Sequence, residues 1–547
     1  MHTIEKPARY DDRPIYPAEF KAQAAALADD QTVREAEILA AKRHESYLCP
    51  AYHYVASHGY MNDPNGFCRW RGRWHLFYQE ITAGTIYWGH AVSDDLAHWE
   101  ELPYAVYPGD EDQSWSGGVT IDRDADGNDV RAAAMYYGHG GKTGLYCAVS
   151  SDDLLLNFTK VGSGPVIPSI PDFETIRSTV PYVSAPTVYD PCIWRDGGYY
   201  YALSGGIRQP RGGGAFVREE YLYRSADLEN WEYLHPFLED DSYSEMFDDG
   251  ACPYFVPLNG GNKGGTDDVE QRYLLMSFSH RYGAQYLLGN YDRPEQKFHV
   301  TGGDKLAQCS MEGGYMAPSA FAEEDGTVRA VYIMHTPDGY SCMSLPHTLS
   351  LPDTMPDMAC ERLYALPSQE LELLRERHTH TDGFALSRGR EYVIDGAAGN
   401  QVELIVTMRC PAEASAVIKL LRSADGEQYT AFTLYPERGP RFKDPEWRRD
   451  SILAVDCSRS QYGGMIPTPE TVRFSAPSDG IFKLHIFVDH SVVEVFTERG
   501  MPLGKRVRPD AGSDTFSITA LGTDIELLSV DRWELHGANE KSVTQPK

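Results

Sequence analysis

Five short segments of this chain share one design: a turn of small or polar residues runs directly into an apolar, aromatic-rich stretch. They are MNDPNGF from residue 61, SWSGGVT from 114, VYDPCIW from 188, DDGACPYF from 248 and EGGYMAPSAF from 312, at intervals of roughly 50 to 75 residues. Runs such as WHLFYQ, GYYYALSGG, RYLLMSFSH and VRAVYIMH follow them, separated by Gly, Asp, Asn and Pro clusters. That is the pattern of antiparallel strands joined by turns. Five comparable openings predict five blades of a β-propeller, in which the first strand of each blade starts beside a central channel.

The rest of the chain is organised differently. Residues 17–45 are rich in Ala, Glu, Lys and Leu and hold no Pro or Gly after Pro17, which predicts one or two helices in an N-terminal extension, residues 1–47. The propeller is expected over 48–366 and a helical linker over 367–380, read from PSQELELLRERH. Strand signals resume in QVELIVTMRC, AVIKLLRS, YTAFTLY and FKLHIFVDHSVVEVFTE, which predicts a C-terminal β-sandwich over 381–537 before a short tail, 538–547. The expected fold class is thus all-β. A length of 547 residues exceeds what one core can serve, in keeping with this division.

A formal charge of −30 argues against nucleic acid or an anionic membrane as a partner. It is neutral on sugars, and 35 tyrosines, each with a flat apolar face and a polar rim, suit sugar-binding surfaces as well as strands. The ten cysteines show no CxxC and no metal-type spacing, so buried free thiols are expected, with no metal and no cofactor. The first residues contain no signal-peptide-like apolar run and no segment has bilayer-spanning length, which points to a cytoplasmic protein. Self-association into a homo-oligomer is allowed by this composition, with the N-terminal helices as a contact or a cover for the channel.

Asp63 and Asp190 each precede a proline. Proline holds the preceding residue in extended backbone and fixes the turn, so a carboxylate there has few ways to swing. A surface turn explains either dipeptide alone, but two at matching points of the repeated units favour a pair of positioned carboxylates. His53, His58 and His90 flank these motifs and read as structural, as do Asp94 and Asp95 in a turn and Trp99 in a blade.

MNDPNG, the strand ending in FYQ, WGHAVSDDLAHWEELP, the SG and DP motifs and HIFVDHSVVEVFTERG (485–500) together resemble glycoside hydrolase family 32, the β-fructofuranosidases, from about Tyr52 to Glu534. The resemblance implies a five-bladed catalytic propeller beside a sandwich and a retaining attack on a fructosyl carbon. It would make Asp63 the nucleophile and Asp190 the transition-state stabiliser. Asn62, Gln79, Trp88 and Ser116 would line the fructose subsite, with Trp115 and Tyr189 beside them. The implied ligand is a fructoside: sucrose, a fructo-oligosaccharide or a fructan.

Two positions depart from the family pattern. Tyr189 stands where the family has Arg before the stabilising Asp, and Ala251 stands where its general acid, the Glu of Glu-Cys-Pro, belongs. Alanine delivers no proton. The acid is therefore expected a few residues upstream, with Asp249 ranked first, then Asp248 and Glu245, and Glu312 as an outside candidate. The same carboxylates would serve a fructosyl transferase or an intramolecular fructotransferase. A non-catalytic sugar-binding propeller is the reading that Ala251 motivates, and a five-bladed arabinose or xylose glycosidase ranks last. Asp489 and Glu494, in the sandwich signature, are expected to be structural.

Overall fold

Strands that face neighbours on both sides read as continuous apolar runs rather than alternating ones, and Thr85–Ser93, buried at every position, is the clearest case. In the computed structural model such strands assemble into radial sheets. The structure describes residues 8–169, 182–183, 188–210, 214–258, 271–306, 313–335, 341–351, 362–438, 450–460 and 469–538. Among these, five sheets are the propeller blades, antiparallel except where Leu238–Glu239 runs parallel to Lys297–Lys305, and the first full strands of the blades are Tyr60–Trp70, Gln113–Arg123, Tyr189–Asp196, Ala251–Leu258 and Pro318–Ala322. We number the blades 1 to 5 in that order. Each first strand coincides with, or begins a few residues inside, one of the five turn-plus-strand segments of the sequence.

Hydrogen bonds between the first strands tie blades 1, 2, 4 and 5 together. Asn65 Oδ1 accepts the Gly117 N–H at 3.2 Å, joining blades 1 and 2. The Tyr254 hydroxyl of blade 4 donates to Gly117 O at 2.7 Å and accepts the Gly66 N–H at 2.9 Å. Ser319 Oγ of blade 5 accepts the Phe67 N–H at 3.0 Å and joins blade 5 to blade 1.

The N-terminal extension forms two helices, Phe20–Asp29 and Gln31–Arg43. Asp30 separates them and caps the second by accepting the Thr32 N–H at 2.8 Å. Leu27 packs with Val92, Leu102, Leu154 and Leu156 on the outer side of blades 1 and 2. Arg43 reaches Gly59 O at 2.9 Å and so buttresses the turn that leads into blade 1.

The helical linker read from 367–380 is corrected. Gln369–Leu374 is a short 3-10 turn, and Arg375–Leu386 is a strand paired with Ile525–Leu535. Six residues cannot sustain an α-helix, and an adjacent strand edge offers the backbone better partners. From there two six-stranded sheets pack face to face as the sandwich over one apolar core. The eight cysteines among the described residues are all free and buried. No helix among the described residues is long and apolar enough to cross a membrane.

Candidate active site

The site is built by irregularities in the blade strands. In four of the first strands the ladder slips where the candidate residues stand: between Met61 and Pro64, Ser114 and Gly117, Tyr189 and Pro191, and Ala251 and Tyr254. A bulge bends a strand and re-aims the extra side chain, and here it turns Asn62, Asp63, Trp115, Ser116, Asp190 and Cys252 toward one funnel. They line a cavity of about 570 Å3 with Gln79, Tyr60, Ala251, Phe278, His280, Met316 and His335.

At its base Asp63 Oδ2 accepts hydrogen bonds from Ser116 Oγ at 2.7 Å and Gln79 Nε2 at 3.2 Å. Gln79 Oε1 in turn accepts from Asn62 Nδ2 at 3.0 Å. One oxygen of Asp63 is thereby fixed. The Cys252 thiol lies between the two aspartates, 3.5 Å from Asp63 Oδ2 and 3.6 Å from Asp190 Oδ2. Burial, reinforced by the Asp63 charge, pushes Asp190 up to about 7 against the weaker help of the Cys252 N–H and S–H. Asp190 adopts a φ of 34° and Cys252 one of 48°, left-handed backbone in which strain is stored.

The remaining expected residues fall into two groups. Trp88 is fully buried and does not line the cavity; its indole N–H donates to Trp115 O at 2.7 Å and so sets the Trp115 backbone. Tyr189 also lies behind the wall, where its hydroxyl donates to Asp249 O. Asp248 is buried away from the cavity, because the Gly250 N–H and the Gln285 amide hold its carboxylate. Asp249 is not a lining residue either; its carboxylate takes the His280 backbone N–H at 3.0 Å and lies 2.6 Å from His280 Nδ1. Glu245 pairs with Lys305 and faces a different cavity. Glu312 lies outside the described residues.

The flanking histidines do not line the cavity either. His58 pairs with Glu101, His90 is buried against His75, and His53 is held by Asp489 and Glu494. Sequence reasoning missed His280 and His335. His335 stacks on Tyr60 with ring centroids 5.7 Å apart, and its Nδ1 is 2.9 Å from the Tyr60 hydroxyl. Burial holds His335 below its ordinary value, with the Asp63 charge acting against it. The only signal for His280 was its place at the end of RYLLMSFSH, just past the strand that follows the ACPYF segment.

The profile described as glycosyl hydrolases family 32 N-terminal domain matches residues 53–360, and the family 32 C-terminal profile matches 370–534. The chain is 26% identical over 523 residues to a sucrose-6-phosphate hydrolase of Zymomonas mobilis, covering 90% of this chain and 93% of that protein. It is also 26% identical over 530 residues to a levanase of Bacillus subtilis, covering 88% of this chain and 69% of the levanase. Among solved structures, fructan 1-exohydrolase IIa from Cichorium intybus superposes with a TM-score of 0.72 at 21% identity, over 90% of this chain and 98% of that one. Sucrose-6-phosphate hydrolase from Lactobacillus gasseri does so with 0.68 at 20% identity, over 93% and 98%. These two likenesses show the fold.

Proposed function

Because this chain belongs to glycosyl hydrolases family 32 and is a glycoside hydrolase of β-fructofuranosidase type, we propose that it releases terminal, non-reducing β-D-fructofuranosyl units from sucrose, fructo-oligosaccharides or fructans, with retention. The observation that carries this reading is the fixed Asp63 carboxylate at the base of a cavity that Asp190 shares. Asp63 would attack the anomeric carbon and form a fructosyl ester. Asp190 would take hydrogen bonds from ring hydroxyls as positive charge develops on the furanose. Asn62, Gln79 and Ser116 supply amide and hydroxyl groups around the same point, and Trp115 and Phe278 supply apolar faces.

The test is incubation with sucrose, 1-kestose, inulin and levan, with free fructose assayed and a mechanism-based fructosyl trap used to label the protein. Fructose release from at least one substrate, with the label on Asp63, is the expected result. Release abolished by several orders of magnitude in Asp63→Asn completes it; a label elsewhere overturns the assignment. Ala251 favours a second reading, a non-catalytic fructoside-binding propeller, which predicts calorimetric binding with no turnover of any of the four.

A further inference from the structure

The position before Cys252 lacks a proton source, but the neighbouring strand supplies one. Ala251 pairs across the ladder with Phe278. A side chain two positions beyond a cross-strand partner lies diagonally, about 7–8 Å away on the same face. Here that side chain is His280, one residue past the end of its strand, and it lines the same cavity as Ala251. The imidazole is fixed from behind, since Asp249 receives both its backbone N–H and its Nδ1–H, and the Phe278 ring meets it edge-on at 5.0 Å. With Nδ1 committed to the carboxylate, Nε2–H remains as the donor for a substrate oxygen.

Depth places it correctly. Ser116, Gln79 and Cys252 at the base are 2%, 3% and 4% exposed, whereas the His280 side chain is 68% exposed. A fructosyl unit seated on Asp63 directs its leaving group toward the open end, where His280 stands.

Resting on the fructosidase reading of this cavity, we propose that His280, positioned by Asp249, is the proton donor that replaces the missing glutamate. In the first half-reaction Asp63 bonds to the anomeric carbon as the glycosidic C–O bond breaks. The departing oxygen takes the Nε2 proton and leaves as an alcohol. In the second half-reaction the neutral imidazole takes a proton from water, whose oxygen attacks the same carbon and frees Asp63, releasing fructose and restoring the imidazolium. Asp249 touches no substrate and acts through His280.

The electrostatics agree. The Asp249 hydrogen bond raises His280 above its ordinary value against partial desolvation by the cavity wall, and the charges of Asp249, Asp190 and Asp63 add to this. Arg281 lies over the Phe247 and Tyr282 rings, and His335 is the histidine on the blade 5 wall of the cavity.

The test compares His280→Ala, His280→Gln, Asp190→Asn and His335→Gln on sucrose (or whichever natural fructoside the wild type cleaves) and on an aryl β-fructofuranoside, whose activated group leaves without protonation. Both His280 variants are expected to lose about 100- to 10,000-fold on the natural substrate and less than about tenfold on the aryl one. Asp249→Asn is expected to shift the alkaline limb of kcat/KM to lower pH, because the carboxylate that keeps the imidazole charged is gone. Equal losses on both substrates for the His280 variants, no loss at all, or the split appearing in Asp190→Asn or His335→Gln would overturn the assignment. Wild-type turnover with an unaffected His280 variant sinks this inference alone, whereas absence of wild-type turnover on every fructoside sinks the fructosidase reading and this inference with it.

Discussion

Three carboxylates near one funnel behave differently because their surroundings differ. Asp63 is held by a hydroxyl and an amide, Asp190 is buried and among the described residues takes hydrogen bonds from Cys252 alone, and Asp249 is committed to His280. The raised value of Asp190, about 7, comes from burial first and the Asp63 charge second. Replacing Asp63 by Asn removes the second cause and leaves the first. Asp190 should therefore titrate at lower pH in Asp63→Asn than in the wild type, read by carboxyl carbon NMR of labelled protein. An unchanged midpoint would mean that burial alone sets it.

At the scale of elements, the bulged first strand is the unit that matters. MNDPNG works as a motif because its residues have separate duties. Pro64 follows the carboxylate and fixes the turn, Asn65 reaches across to blade 2, and Gly66 adopts a φ of +50°. A Cβ at Gly66 would also drive into the Val119 side chain. Gly66→Ala is expected to cost about 1–3 kcal/mol from the backbone conformation alone, seen as a lower denaturation midpoint. A midpoint within experimental scatter of wild type would show that the strand relaxes freely.

At the scale of the whole molecule, the sandwich is bolted to the propeller by a buried polar network. Asp489 accepts the backbone N–H groups of Ala51, Tyr52 and His53. Glu494 receives His53, His347, the Tyr315 hydroxyl and the Leu345 N–H. Burial works against both carboxylates, but these hydrogen bonds outweigh it and hold Glu494 and Asp489 below their ordinary values of 4.5 and 3.8. Their stabilisation is therefore present above those ordinary values and is lost as pH falls toward the depressed folded values. Stability should decline on acidification below about pH 4. Glu494→Gln breaks a buried charged network and is expected to cost about 3–5 kcal/mol, with a flatter acid limb in chemical denaturation; a wild-type acid limb in that variant would remove Glu494 from this role.

Much of this was legible in the sequence. Repeated turn-plus-strand openings marked the blades because each inner strand must start at a tight, polar bend beside the axis. The prolines picked out Asp63 and Asp190 as positioned carboxylates, because local motifs fix backbone conformation wherever they occur, and the resemblance to family 32 picked out Ala251 as standing where that family carries its acid. Which side chains near Ala251 reach the cavity was not legible. Asp248 and Asp249 are adjacent in sequence, yet one is enclosed by Gln285 and the other is turned onto His280. Trp88 and Trp115 both read as sugar-facing, and only the packing puts Trp88 one layer behind. Which side chain reaches a shared cavity depends on cross-strand register and on competition for hydrogen-bond partners distant along the chain, and only tertiary structure decides those.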